Sequence, residues 1–297
     1  MKKPLRIGTR KSPLALWQAE KVAYELKKKG KAVEIVGIDS LGDLNLKDPL
    51  DSLGQTGVFT KALDQAILEG KIDAAVHSLK DVATQVPEGL CMAACLQRGP
   101  KKDVLVLGIK PNPDQVIATG SPRRKAQWLH KFPSYTVEGL RGNVQTRIQK
   151  IHQSNWEGGI MAEAGLKRME LGHLKHEVLN WMYPAPSQGI VSVFTRDSLQ
   201  AEFAPINNQA AEFDALFERS FLRHLEGGCA APIGVNLIQV NNGFESEGVV
   251  LMPDGSKAAF AKHVFTQTDP VKEGIKLAEK VLEAGGEWIM SQIRKQG

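Results

Sequence analysis

Apolar positions along the chain switch repeatedly between a short strand-like run and a helical spacing. LRIGT reads as a strand, and beyond Ser12 the residues Leu14, Trp17, Val22 and Leu26, with Ala15 and Ala19, fall on one helical face. Ser12 suits the N-cap, Pro13 the first helical position, and Gly30 after the lysine run the C-terminal stop. The construction returns in VIATGSPRRKAQWLHKF, where Ser121 caps, Pro122 opens the helix, and Arg123 and Arg124 occupy its first turn. In YTVEGLRGNVQTRIQKIHQ a strand ends at Leu140 and Asn143 caps the next helix. In GGIMAEAGLKRMEL the strand Gly159 to Ala162 leads through Gly165 to Lys167 and Arg168. AVHSLKDV is an apolar strand that ends abruptly in Lys80 and Asp81.

This alternation, continuing to about residue 195, predicts an α/β architecture with largely parallel sheets, in which ligands bind at the carboxyl ends of the strands. Gly-Pro and a charge cluster in CLQRGPKKDVLVLG, residues 95–108, mark a crossing between two lobes, and PAPSQGIVSVFTR, residues 184–196, marks a second. The pattern then changes. A helix, AAEFDALFERSFLRHLEGG, precedes strands VNLIQV, ESEGVVLM and AFAKHVFTQ joined by Asn-Gly and Asp-Gly turns, and a last helix follows from Asp269 to Arg294. These predict an α+β domain with a three-stranded antiparallel sheet. The expected division is 1–96 with 189–208 as domain 1, 97–188 as domain 2, and 209–297 as domain 3.

Composition narrows the class. With 297 residues, 42% hydrophobic and 24% charged, the chain is an ordinary globular protein long enough for two or three cores. No apolar run approaches the roughly 20 residues of a membrane span, and MKKPLRIGTRKS has no apolar segment behind its lysines, so a cytoplasmic protein without membrane contact is expected. Cys91, Cys95 and Cys229 are an odd count at spacings that suit neither a disulfide framework nor a tetrahedral zinc site, and no metal is expected. Cys91 and Cys95 lie in the apolar run LCMAACL, whereas Cys229 sits behind two glycines in LEGGCAAPIG.

The net charge of +5 matters through its placement. Arg10 and Lys11 stand at a helix N-terminus, where unpaired N–H groups and the macrodipole favour an anion. Arg123 and Arg124 in a first turn oppose the dipole unless something negative sits before them. Arg141, Arg147 and Arg168 occupy comparable junctions, and several guanidiniums brought together are suited to holding several carboxylates. A solvated basic turn is the alternative at any one of these sites. Nucleic-acid binding fits less well, because the basic residues sit singly at turns and aromatic content is 6%. Asp81 can act as an acid or base, stabilise a forming cation, or make a surface ion pair, while His77 reads as a packed, hydrogen-bonded histidine.

RIGTRKSPLALWQA, AVHSLKDV, GSPRRKAQWL, LRGNVQTRI, AGLKRM and LEGGCAAPIG, in this order and at these separations, resemble the porphobilinogen deaminase (hydroxymethylbilane synthase) family over nearly the whole chain. The resemblance implies two lobes similar to periplasmic binding proteins and a third domain carrying a dipyrromethane cofactor, joined by a thioether to Cys229. The implied reaction joins four porphobilinogens head to tail on that primer with loss of ammonia, and water then releases hydroxymethylbilane. Asp81 is implied as the catalytic carboxylate, handling the pyrrole N–H and stabilising the cationic azafulvene. Ser78, Lys80, Asp81, Thr119, Ser121, Arg123, Arg124 and Gly165 match positions contacting the cofactor. Arg10, Ser12, Lys61, Arg141, Arg147, Arg168 and Gln188 match substrate-side positions, Lys61 on a mobile loop and Gln188 near a hinge. Porphobilinogen is the implied partner, and a monomer the implied state.

The chain departs from the family pattern in three places. GQTG replaces GGKG or GEKS, so Thr56 stands where a loop cation is usual. ATGSPRR replaces GTSSLRR, losing a hydroxyl at Gly120 and stiffening the helix start at Pro122. PSQG replaces VGQG, so Pro186 and Ser187 reduce the freedom of the second crossing.

Overall fold

A computed structural model describes residues 3–39, 60–110, 114–226, 231–266 and 269–296. In chain order the first elements are β1 (Leu5–Arg10), α1 (Pro13–Lys28), β2 (Val33–Ile38), α2 (Lys61–Leu68), β3 (Ala74–Ser78), β4 (Leu90–Cys95), β5 (Asp103–Leu107) and β6 (Val116–Ala118). Then come α3 (Pro122–Lys131), β7 (Thr136–Glu138), α4 (Val144–Gln153), β8 (Gly158–Ala162), α5 (Glu163–Arg168), β9 (His176–Val178) and β10 (Val191–Arg196). The remainder is α6 (Gln200–Phe203), α7 (Gln209–His224), β11 (Ile233–Val240), β12 (Gly243–Leu251), β13 (Ala258–Phe265), α8 (Pro270–Val281) and α9 (Glu287–Gln296).

The starts of the helices show how local sequence sets the frame. The Ser12 side chain accepts the Ala15 N–H at 3.4 Å, and Asn143 Oδ1 accepts that of Thr146 at 2.9 Å. Ser121 occupies the cap position of α3 without a side-chain cap bond; instead its own N–H donates to Thr119 Oγ1 at 3.3 Å. Gly120 has no room for the hydroxyl-bearing side chain usual there, since a Cβ would lie 2.5 Å from the Leu140 carbonyl oxygen. The single C-terminal helix expected from Asp269 to Arg294 is broken into α8 and α9 at Gly285, whose φ of +105° is outside the helical region.

The chain clusters into two compact units, residues 1–99 with 189–215, and 100–188 with 216–297. The division falls within α7, whose residues 209–215 belong to the first unit and 216–224 to the second. The first unit holds one sheet in the order β2-β1-β3-β10-β4. The second holds a sheet ordered β7-β6-β8-β5-β9 and the three-stranded antiparallel sheet β11-β12-β13. In each five-stranded sheet four strands run the same way, as the alternation predicts, and one runs against them: β10 is antiparallel to β3 and β4, and β5 antiparallel to β8 and β9. A strand that follows a crossing enters its sheet from the far end, so helical alternation does not report its direction.

Both faces of these sheets are covered, which is why AAV and VLVL read as continuous apolar runs. In the first unit Ile7, Val76, Val193 and Phe203 pack on one side and Ile72, Ala75, Leu79 and Phe194 on the other. In the second, Val104 and Val106 face Leu140 and Ile151, while Leu105 between them turns toward Ile117 and Trp128. The three-stranded sheet meets α7 through Phe221, so close to Gly248 that a Cβ there would lie 2.7 Å from the ring.

Candidate functional site

In the first unit β1 and β3 are adjacent and parallel, so their carboxyl ends lie side by side. Arg10 ends β1, Ser78 ends β3, and a tight turn, Leu79 to Asp81, follows immediately. Leu79 is fully buried and its N–H donates to the Ile190 carbonyl at 3.0 Å, pinning the turn from below and leaving Asp81 exposed. Arg10, Ser12, Gln18, Thr60, His77, Ser78 and Asp81 together line a cleft of about 60 Å³. Lys80 is half-buried in the same turn; Lys61 is exposed at the start of α2, next to Thr60. Lys11 does not join the cleft and makes an exposed ion pair with Asp39 at 2.7 Å.

Two cleft groups carry information beyond the motifs. Gln18, a buried polar residue on the otherwise apolar face of α1, donates from Nε2 to Ser78 Oγ at 2.7 Å and so orients that hydroxyl. His77 packs edge-on against Phe194 with 5.9 Å between ring centres. Burial first, and the Arg10 charge second, push its pKa down to about 4, so the ring is neutral near pH 7. Its Nε2 is buried without a hydrogen-bond partner, so the expectation of a hydrogen-bonded histidine is met only by its packing.

In the second unit the negative group before the first-turn arginines belongs to the chain itself. Asp103, at the start of β5 and fully buried, receives Arg123 Nη2 at 2.7 Å on Oδ2 and Arg124 Nη2 at 2.8 Å on Oδ1. Arg124 adds an Nε bond to Oδ1 at 3.0 Å and donates from Nη1 to the Ile160 carbonyl at 3.1 Å. Arg123 Nη1 donates to the Tyr183 carbonyl at 2.5 Å, leaving its Nε buried without an acceptor. Gln188 closes the cluster, its Nε2 reaching Asp103 Oδ1 at 3.0 Å and the Lys101 carbonyl at 2.9 Å. Gln188 is fully buried, with its amide directed at Asp103. The spacing signal for Asp103 was present in KKDVLVL, an acid opening an apolar strand, but its partners are distant in sequence.

Two guanidiniums against one carboxylate leave this buried cluster with a formal charge of +1 at the N-terminus of α3. Burial alone would raise the Asp103 pKa; attraction to Arg123 and Arg124 and the Gln188 hydrogen bond outweigh it and hold it at about 2. The sign follows. The group contributes stability that is fully present above the unfolded carboxylate value, about 4, and is lost as pH falls through about 2. Urea midpoints measured from pH 5 to pH 2 are expected to fall by the equivalent of about 2–3 kcal/mol more than in Asp103→Asn.

Arg141 and Arg147 are half-buried around the start of α4, and Arg168, also half-buried, ends α5. Arg147 Nε donates to the Gly142 carbonyl at 2.8 Å. Gly165 in α5 lies buried with its Cβ position 3.8 Å from Val144 at the start of α4, so the two helix regions adjoin. Burial pushes the Arg168 pKa down to about 10, a shift that a bound carboxylate would reverse. Thr119 is buried at the end of β6, and Ser121 is half-exposed. Cys229 and Thr56 lie outside the described residues. Among the described residues no group of three or more His, Cys, Asp or Glu side chains is placed to hold a metal ion, and no helix is long and apolar enough to cross a membrane.

Comparison with known proteins covers nearly the whole chain. Residues 5–202 match the family model "Porphobilinogen deaminase, dipyromethane cofactor binding domain", and residues 213–283 match "Porphobilinogen deaminase, C-terminal domain". The porphobilinogen deaminase of Rubrobacter xylanophilus is 41% identical, over 98% of this chain and 97% of its own. That of Cytophaga hutchinsonii is 37% identical, over 99% and 98%. Among solved structures, the methionine binding protein MetQ has a TM-score of 0.41 at 13% identity, over 73% of this chain and 93% of its own.

Proposed function

This chain belongs to the porphobilinogen deaminase family, and we propose that it condenses four porphobilinogens head to tail, with Asp81 as the catalytic carboxylate. The observation that carries the reading is the cleft at the ends of β1 and β3, which puts an exposed Asp81 beside Arg10, Ser12 and Ser78 in a chain matched by both family models. Asp81 accepts the pyrrole N–H of porphobilinogen and stabilises the positive charge that develops as ammonia departs. Arg10 and Ser12 take a substrate carboxylate, with the α1 N-terminus behind them. Neutral His77 adds no competing cation beside the developing charge.

The second unit fits a ligand rich in carboxylates. The surplus charge of the Asp103 cluster, the buried Arg123 Nε without an acceptor, and the desolvated Arg168 all favour an anion. The residues proposed to hold dipyrromethane are those that match the family's cofactor positions, Ser78, Lys80, Asp81, Thr119, Ser121, Arg123, Arg124 and Gly165, with Cys229 as the covalent anchor. When bound, the group supplies the pyrrole carbon from which the chain grows. Lys61, Arg141, Arg147 and Arg168 serve the substrate and product carboxylates, each a group that a planar fork or an ammonium can meet. Action as a cytoplasmic monomer belongs to the same proposal.

Intact mass tests the reading directly. The purified protein is expected to carry a dipyrrole-sized excess over its sequence mass and to climb in one-pyrrole steps on brief exposure to porphobilinogen. Cys229→Ser is expected to show neither. A wild-type protein at bare sequence mass that fails to climb would leave a carboxylate-binding protein without the chemistry.

A further inference from the structure

Where the chain leaves the second unit, residues 184–188 make a short buried turn whose conformation is unusual at one position. Ser187 has φ +65°, in the left-handed region that a non-glycine residue occupies only when its surroundings hold it there. It is 1% exposed, and its Oγ is buried without a partner, so the hydroxyl does not supply that restraint. The restraint is Glu218 of α7, fully buried, whose Oε2 accepts the Ser187 N–H at 2.5 Å. The next residue is Gln188, with its N–H donating to the Ala185 carbonyl at 3.0 Å and its side chain aimed at Asp103. Asp103 in turn holds Arg123 and Arg124.

We infer that Glu218 is a positioning residue for the condensation: by clamping Ser187 in the left-handed conformation it aims the Gln188 amide at Asp103 and so sets the arginine pair. The inference rests on the function proposed above, in which Arg123 and Arg124 hold the primer. Every link is buried and lies within the second unit, so a loosened clamp is transmitted rather than absorbed by solvent. Neither Glu218 nor Ser187 touches substrate.

A rescue experiment separates positioning from simple packing. Glu218→Ala is expected to lower kcat by roughly ten- to a hundred-fold with little change in KM, as misplacement of catalytic or binding groups does. Glycine adopts positive φ without help, so adding Ser187→Gly to Glu218→Ala is expected to recover most of the loss. Amide exchange across residues 185–189 is expected to quicken in Glu218→Ala whether or not the enzyme turns over. Should Glu218→Ala fail to fold, Ser187→Val, which keeps the carboxylate but disfavours positive φ, is expected to reproduce the kcat loss. Wild-type kcat and exchange in folded Glu218→Ala, or no recovery in the double variant, would overturn the inference. A wild-type protein that never turns over sinks the proposed function instead, and the exchange comparison still decides whether Glu218 clamps the turn.

Discussion

Replacing Asp81 with Ala is expected to lower turnover by roughly 10²–10⁴-fold, the range of a positioned acid or base, while leaving the protein folded. The two halves of this expectation have different origins. Asp81 is exposed, and the turn that presents it is anchored by buried Leu79 and by the Leu79 N–H bond to Ile190, neither of which involves the carboxylate. Removing it therefore takes away little packing. The lost charge faces a forming cation, so the effect falls on the transition state, and kcat should drop more than KM rises. Single-turnover kinetics with porphobilinogen, alongside the thermal midpoint, check both halves. An active Asp81→Ala protein would remove the residue from its assigned role.

The second large effect is on stability. Asp103→Ala is expected to destabilise the protein by about 3–5 kcal/mol, because it leaves Arg123 and Arg124 buried with no counter-charge. The cluster would pass from a formal +1 to +2 while remaining buried. Asp103→Asn retains an acceptor and the volume, and is expected to lose less. Chemical denaturation of the two variants against wild type measures the difference; equal midpoints for Asp103→Ala and wild type would show that the arginines find other partners. The same substitution should weaken retention of the primer if Arg123 and Arg124 hold it, which intact mass reads independently of stability.

Much of the first unit's cleft was legible because its parts are local. Ser12 and Pro13 announce α1, the apolar run AVHS ends in a charged pair, and a parallel sheet brings strand ends together by rule. Gln18 was not legible, since a polar residue on an apolar helical face looks like an exception until Ser78 is seen beside it. The basic first turn of α3 reads from sequence as facing a bound anion, whereas the structure sets Asp103 of the chain itself against it. The partner could not be read, because Asp103 comes from a strand about twenty residues earlier and reaches the arginines only through the sheet order β6-β8-β5.

The chain by itself determined where α1, α3, α4 and α8 begin, the antiparallel sheet with its two tight turns, and the family to which it belongs, because caps, periods and motifs act within a few residues of themselves. Tertiary structure alone decided strand direction in the mixed sheets, the internal use of the Arg123, Arg124 and Gln188 side chains, and the clamp of Glu218 on Ser187. Those are pairings between polar groups far apart in sequence. Burial makes each of them obligatory, and only the packed fold says which group meets which.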